Sequence, residues 1–303
     1  MSPVVISLVA SIVGAAASLA GVVFVRGTTA VPAAVWAVAA WVAMAIEMLV
    51  RSRGDLVDPG SAADARLVVA ALSLCPAMSL LGAKRPQHGV WQLIVASLAV
   101  VLVLPLGPAV LAFPGSLPAV HILAKWFMLA LAAIGWMNFI ATRRGAAATL
   151  VTAGQIILMR PFMPGFGMAE QIEGVIRSPA IDAVALCMAA AGTLLAGMQA
   201  CVADWRRGRA GHAEGEHPLA AMIDPVFLAV RETLGAAWAL RIAERFGQIA
   251  ASRGWPCRLT FRGLVVDQDQ RPETDWPREA WRAFAAIMRR FVSTKWLRMH
   301  GAA

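Results

Sequence analysis

The chain has 303 residues, of which 59% are hydrophobic and 15% charged, with a formal net charge of +9 at pH 7. Soluble domains carry roughly 45–50% apolar and about 25% charged residues, so this composition excludes a wholly water-soluble globular protein. The basic surplus comes with no nucleic-acid-reading motif, so anionic lipid headgroups rather than nucleic acid are the partner it implies.

Residues 1–204 hold 11 basic and 8 acidic side chains, whereas the shorter segment 205–303 holds 16 and 10. The first part therefore reads as a transmembrane domain, 205–223 as a linker and 224–303 as a cytosolic tail. Apolar spans are expected at about 4–25, 31–50, 66–83, 90–113, 118–141, 146–160 and 180–203. The first is uncharged for 22 residues, enough at about 1.5 Å per residue to cross a hydrocarbon core of ~30 Å. Met1-Ser2-Pro3 carries no basic side chain and the run exceeds a signal-peptide core, so this span is expected to be retained. Small residues such as Gly14, Ala17 and Gly21, or Gly192 and Ala196, suit close helix packing in lipid.

Loops after the odd-numbered spans carry Arg26, Lys84, Arg85, Arg143, Arg144, Arg206, Arg207 and Arg209. The opposite loops carry Arg51, Arg53, Arg66, Arg160 and Arg177. The positive-inside rule then places the N-terminus outside and the C-terminus in the cytoplasm of a multi-pass inner-membrane protein.

On that topology Glu47, His121, Lys125, Gln155, Arg160 and Asp182 fall at similar depth near the outer side. Charges within a membrane cost at least ~2.5 kcal/mol each near a helix centre and normally face the bundle interior. Pro105, Gly107 and Pro108 should break the fourth span, and a broken helix must face protein or a wet cavity. The functional reading is an outward-opening polar cavity with Glu47 and Lys125 as an ion pair. The structural reading is mutual neutralisation of snorkelling charges.

No cofactor is expected, because His88 and His121 fall on opposite sides and the last span has no lysine. His212, Glu214, Glu216 and His217 are metal-binding types without metal-site spacing. Cys75, Cys187, Cys201 and Cys257 form no C-x-x-C pair, and no disulfide is expected. Pro161 to Met168 reads as an apolar, non-helical outer loop.

In the tail, Asp224-Pro225 reads as a helix start, and apolar residues from Phe227 to Ile249 recur at helical spacing up to Ser252. Residues 257–262 alternate as a strand, Gly263 turns or bulges the chain, and 264–266 continue it. Asp275 caps a last helix from about Trp276 to Met299. Its basic residues Arg278, Arg282, Arg289, Arg290, Lys295 and Arg298 suit a membrane surface, while its aromatic face fits either lipid or a protein core.

The fold class is thus an all-α polytopic bundle of about seven transmembrane helices with a small C-terminal α+β domain. No catalytic residue can be named, so the first functional reading is a non-catalytic subunit or assembly partner of a membrane complex, with a membrane protein as its partner. A small-solute or proton-coupled transporter is the second. A membrane enzyme acting on lipid or quinone is the third.

Overall fold

Helix α1 (Pro3–Phe24) buries the residues that a water-facing helix would expose. Ser2 accepts a hydrogen bond from the Val5 N–H at 3.4 Å and Pro3 opens the first turn, a favourable start. Ser7, Ala10, Ser11, Gly14 and Ser18 face the bundle. Val5, Val9, Ile12, Leu19 and Val23 point outward. In water the branched apolar side chains would take the interior. In lipid they gain nothing by leaving the solvent, and small residues win the interface because they let backbones approach. Buried Ser11 satisfies its hydroxyl by donating to the Ser7 carbonyl at 2.9 Å.

The computed structural model describes residues 1–52, 59–84, 88–106, 120–162, 178–207, 217–267 and 275–300. After α1 come α2 (Val31–Ser52), α3 (Pro59–Leu81), α4 (His88–Val103), α5 (Ile122–Ile140), α6 (Gly145–Met159) and α7 (Pro179–Arg207). A single 3-10 turn, Arg160–Phe162, follows α6. Five stretches are long and apolar enough to cross a membrane: Pro3–Phe24, Val31–Ser52, Ala63–Leu81, Ile122–Ile140 and Pro179–Trp205. These are compatible with a multi-pass membrane protein. Helices α4 and α6 have 16 and 15 residues, or about 24 and 22 Å at 1.5 Å per residue. The expected break within 90–113 takes the form of a helix end at Val103, with Leu104 and Pro105 in a turn. Gly107 and Pro108 lie outside the described residues.

Helix α1 packs between α2 and α7, α2 on α3, and α6 on α7, while α3 also meets α4, α5 and α6. The α6–α7 approach depends on two missing side chains. A Cβ on Gly154 would run into the Ala185 carbonyl, and one on Gly192 into the Ala147 carbonyl. Gly14 lies under the Trp41 indole, whereas Gly21 has open space beside it and forms no seam. Gln92 Oε1 accepts from Trp36 Nε1 at 3.0 Å and Ser79 Oγ at 3.2 Å, tying α2, α3 and α4 together.

The C-terminal domain contains α8 (Pro218–Leu234), α9 (Ala236–Arg253), the hairpin β1 (Cys257–Thr260) and β2 (Gly263–Val266), α10 (Trp276–Met288) and α11 (Thr294–His300). Three expectations need correction. The first tail helix begins at Pro218 behind an N-cap from His217, and Pro225 sits inside it. Asp224 instead accepts the Leu264 N–H of β2 at 2.7 Å. That helix also stops at Gly235, so 225–252 is two helices rather than one. The hairpin turns at Phe261–Arg262, with Thr260 paired to Gly263 and Cys257 to Val266. The last helix is likewise two, α10 and α11, interrupted at residues 289–293.

The interruption has a cause in packing. The Phe291 carbonyl accepts from Thr29 N–H at 2.8 Å, Val292 bridges Thr28, and Ser293 N–H donates to the Gly27 carbonyl at 2.6 Å. A continuous helix would consume those groups in its own ladder. Gly27 is at φ +83°, and a side chain there would also press on Ser293 and Trp296. Two further turns of the bundle hold the same domain. Trp238 Nε1 donates to the Leu80 carbonyl at 2.7 Å. Asn138 donates to the Leu234 carbonyl at 3.0 Å and accepts from Ala237 N–H at 3.0 Å, spanning the α8–α9 junction where Gly235 has φ +89°. Arg143 N–H reaches Glu232 Oε2 at 3.0 Å. The turns that end α1, α3 and α5 therefore all lie on the face that carries the C-terminal domain.

That domain has its own core: Phe227, Phe246, Phe284 and Met288 are fully buried, with Trp238, Phe291 and Trp296 nearly so. The aromatic face of α10 and α11 is thus spent on protein. Arg278, Arg282, Arg289, Arg290, Lys295 and Arg298 remain on the other side, at least partly exposed.

Replacing Asn138 by Ala removes both hydrogen bonds across the α8–α9 junction, worth about 1 kcal/mol each. The expected result is faster limited proteolysis of the C-terminal domain with the apolar bundle left intact; an unchanged cleavage rate would show that this clip does not hold it.

Candidate functional site

At the end of the bundle away from the C-terminal domain, five ionic side chains meet. Glu47 and Arg51 lie one turn apart near the end of α2. Arg66 lies near the start of the apolar part of α3, Arg160 just past α6, and Asp182 in the first turn of α7. Arg66 is the hub, with 1% of its surface exposed. Its Nε donates to Glu47 Oε1 at 2.6 Å, and its two terminal nitrogens grip Asp182 at 3.0 and 2.7 Å. The Leu158 carbonyl accepts a further bond from Arg66 at 3.4 Å. Arg51 reaches Glu47 at 2.9 Å and Asp182 at 3.0 Å. Arg160 donates to Asp182 at 2.7 Å and to the Ile157 carbonyl at 2.8 Å.

The planar fork of Arg66 suits this geometry, because a guanidinium can hold a carboxylate with two parallel bonds while a third nitrogen faces another partner. Both carboxylates are only a few per cent exposed, so each oxygen needs an internal donor. Arg51, about a quarter exposed, closes the cluster toward the surface, and its Nε has no hydrogen-bond partner among the described residues.

Of the expected polar group, Glu47, Arg160 and Asp182 come together, and His121, Lys125 and Gln155 do not join them. His121 is an exposed N-cap of α5, its Nδ1 accepting from Leu123 N–H at 3.2 Å. Gln155 donates to Ser73 Oγ at 2.9 Å, two turns along α3 from Arg66. Lys125 is half-buried and has no carboxylate within 4 Å among the described residues. The expected Glu47–Lys125 pair is replaced by Glu47 with Arg66 and Arg51. Two of the five members, Arg51 and Arg66, are not legible as site residues in the sequence because they sit where a span boundary blurs into a loop. The Glu47/Arg51 spacing of four was the available signal.

A groove of about 300 Å³ between α1 and α2 is lined by apolar residues including Leu8, Ile12 and Ile46. A cleft of about 50 Å³ lies where the bundle meets the C-terminal domain. Neither is lined by Glu47, His121 or Lys125. Among the described residues no three His, Cys, Asp or Glu side chains are placed to hold a metal ion. His212, Glu214 and Glu216 lie outside those residues, and His217 caps α8. Burial pushes the Cys257 thiol up to about 11, so it is protonated at neutral pH and poorly nucleophilic. No protein family, curated protein or solved structure matches this chain.

Removing Arg66 would leave Glu47 with Arg51 alone and Asp182 with Arg51 and Arg160, and breaking such a buried pair costs about 3–5 kcal/mol. Arg66→Gln is expected to lower the free energy of unfolding in mixed micelles by that amount, and Arg66→Lys to recover little of it for want of a fork. A double-mutant cycle with Asp182→Asn checks the coupling; additive effects would mean the two side chains do not interact.

Proposed function

We propose that the protein is a non-catalytic subunit or assembly partner of a membrane complex. In this reading seven helices cross the inner membrane, with the N-terminus outside and the C-terminal domain in the cytoplasm. One observation carries the choice: the buried charges Glu47, Arg66, Arg160 and Asp182 are spent on each other. Glu47 and Asp182 are held by guanidiniums inside a packed bundle, which leaves neither carboxylate poised for a solute or a proton relay. A transporter would need Glu47 and Lys125 in one wet cavity, and an enzyme would need a base with an oriented partner. His121 is occupied in capping a helix.

Basic turns favour the orientation. Arg26 and Arg143 lie on the face that carries the C-terminal domain, as do the six basic side chains of α10 and its continuation. None of those six has a carboxylate within 4 Å among the described residues. They would meet anionic headgroups by charge alone, at about 1 kcal/mol per basic residue near the surface, since their apolar neighbours are already buried. The 15-residue α6 crosses with help from the 3-10 turn and from Arg160, drawn inward by Asp182 rather than outward to water.

Solubilised gently from its own membrane, the full chain is expected to migrate as part of a larger assembly with a stoichiometric second polypeptide. Recovery as a solitary monomer that alone catalyses transport or turnover would contradict the reading.

A further inference from the structure

Trp238 stands where α9 begins, between the ends of α3 and α5. Its indole N–H is fixed on the Leu80 carbonyl, so the ring cannot turn away. Two cations lie against that ring, Lys84 Nζ at 5.5 Å and the Arg241 guanidinium at 5.2 Å from its centroid. Neither has a carboxylate within 4 Å among the described residues. The 50 Å³ cleft beside them is lined by Leu80, Leu81, Asn138, Ala237, Trp238 and Arg241. The Asn138 amide is already committed to Leu234 and Ala237, which leaves Arg241 as the charge in the cleft wall, with Lys84 against the same Trp238 ring but outside the lining.

The depth of the cleft is informative. Leu81 and Ile140 end two of the membrane-length helices, so the cleft lies where hydrocarbon gives way to headgroups. Leu81, at the end of α3, and Leu240, in α9, are 37% and 54% exposed. Two cations held over one ring, with no counter-charge among the described residues, attract a group of opposite sign. Arg241 offers a fork for phosphate oxygens and Lys84 a mobile point charge.

We infer that this cleft binds the phosphate of an anionic phospholipid, with Lys84 and Arg241 on the headgroup and the acyl chains running over Leu81 and Leu240. The site rests on α3 and α5 lying in a bilayer, as proposed above, and not on any partner subunit. It differs from the basic face of α10, where among the described residues no cation lies over a ring.

The test uses the purified full chain in neutral detergent, titrated with phosphatidylglycerol or phosphatidylcholine and read by native mass spectrometry. Wild type is expected to retain one phosphatidylglycerol at concentrations where phosphatidylcholine is not retained. Lys84→Gln with Arg241→Gln should weaken that binding tenfold or more, Lys84→Arg should preserve it, and Arg278→Gln with Arg282→Gln should leave it unchanged despite the same loss of charge. Equal retention of both lipids, wild-type binding by the first double variant, or equal weakening by both double variants would overturn the site. Displacement by excess inorganic phosphate would also overturn it, assigning the cleft to a soluble phosphorylated ligand. If the double variant did not fold, Arg241→Gln alone, at an exposed position, carries the same comparison. None of these failures touches the co-purification result expected of a complex subunit.

Discussion

An apolar solvent around the bundle decides which side chains go where. Once the surroundings are as apolar as leucine, burial of large aliphatic groups no longer drives association, and close backbone approach and polar satisfaction take over. The serine face of α1, the Trp41 indole laid over Gly14, and the Gly154 and Gly192 contacts of α6 with α7 follow from that one condition. So does the Arg66 cluster. Two carboxylates in a low-dielectric interior must find donors in the protein, and Arg66, Arg51 and Arg160 supply them from three different segments. The cluster is therefore a lock on the relative positions of α2, α3, α6 and α7.

The opposite end of the bundle is held by different means. There the C-terminal domain covers the turns after α1, α3 and α5 with main-chain hydrogen bonds, one asparagine and one tryptophan. A short two-stranded hairpin would be marginal alone. It survives because Leu259 and Leu264 enter the core built by α8, α9 and α10, and because Arg231 donates to the Phe261 carbonyl at 2.7 Å in its turn. Charge locks one end of the molecule and a water-facing core closes the other, with small-residue packing between.

Residue pattern alone made some of this legible. Continuous apolarity marked α1, α2, α5 and α7, and the rarity of intramembrane charge marked Glu47, Arg160 and Asp182 as neighbours in depth. Depth does not give direction. His121 caps α5 and Lys125 meets no carboxylate among the described residues, because helix rotation is set by contacts that a single sequence does not display. Arg66 pairs with Asp182 across 116 residues, and its place near the start of α3 made it look like a loop residue. In the tail, helical periodicity ran straight through Gly235 and residues 289–293. The breaks there come from docking onto Asn138 and onto residues 27–29, which are tertiary partners and not local propensity. The same limit applies to the aromatic face of α10: helical spacing of apolar residues is the same whether lipid or protein receives them.

The central claim is that the bundle crosses a bilayer with the turns after α1 and α5 and the C-terminal domain on the cytoplasmic side. Single cysteines at Ser2, Ser52, Arg26, Arg143 and Arg298, in a background lacking the native four, would be exposed to a membrane-impermeant maleimide in intact cells and again after permeabilisation. The account predicts labelling of the first two in intact cells and of the last three only after permeabilisation. Labelling of the Arg26 and Arg143 positions on opposite sides, or of all five from outside, would contradict it.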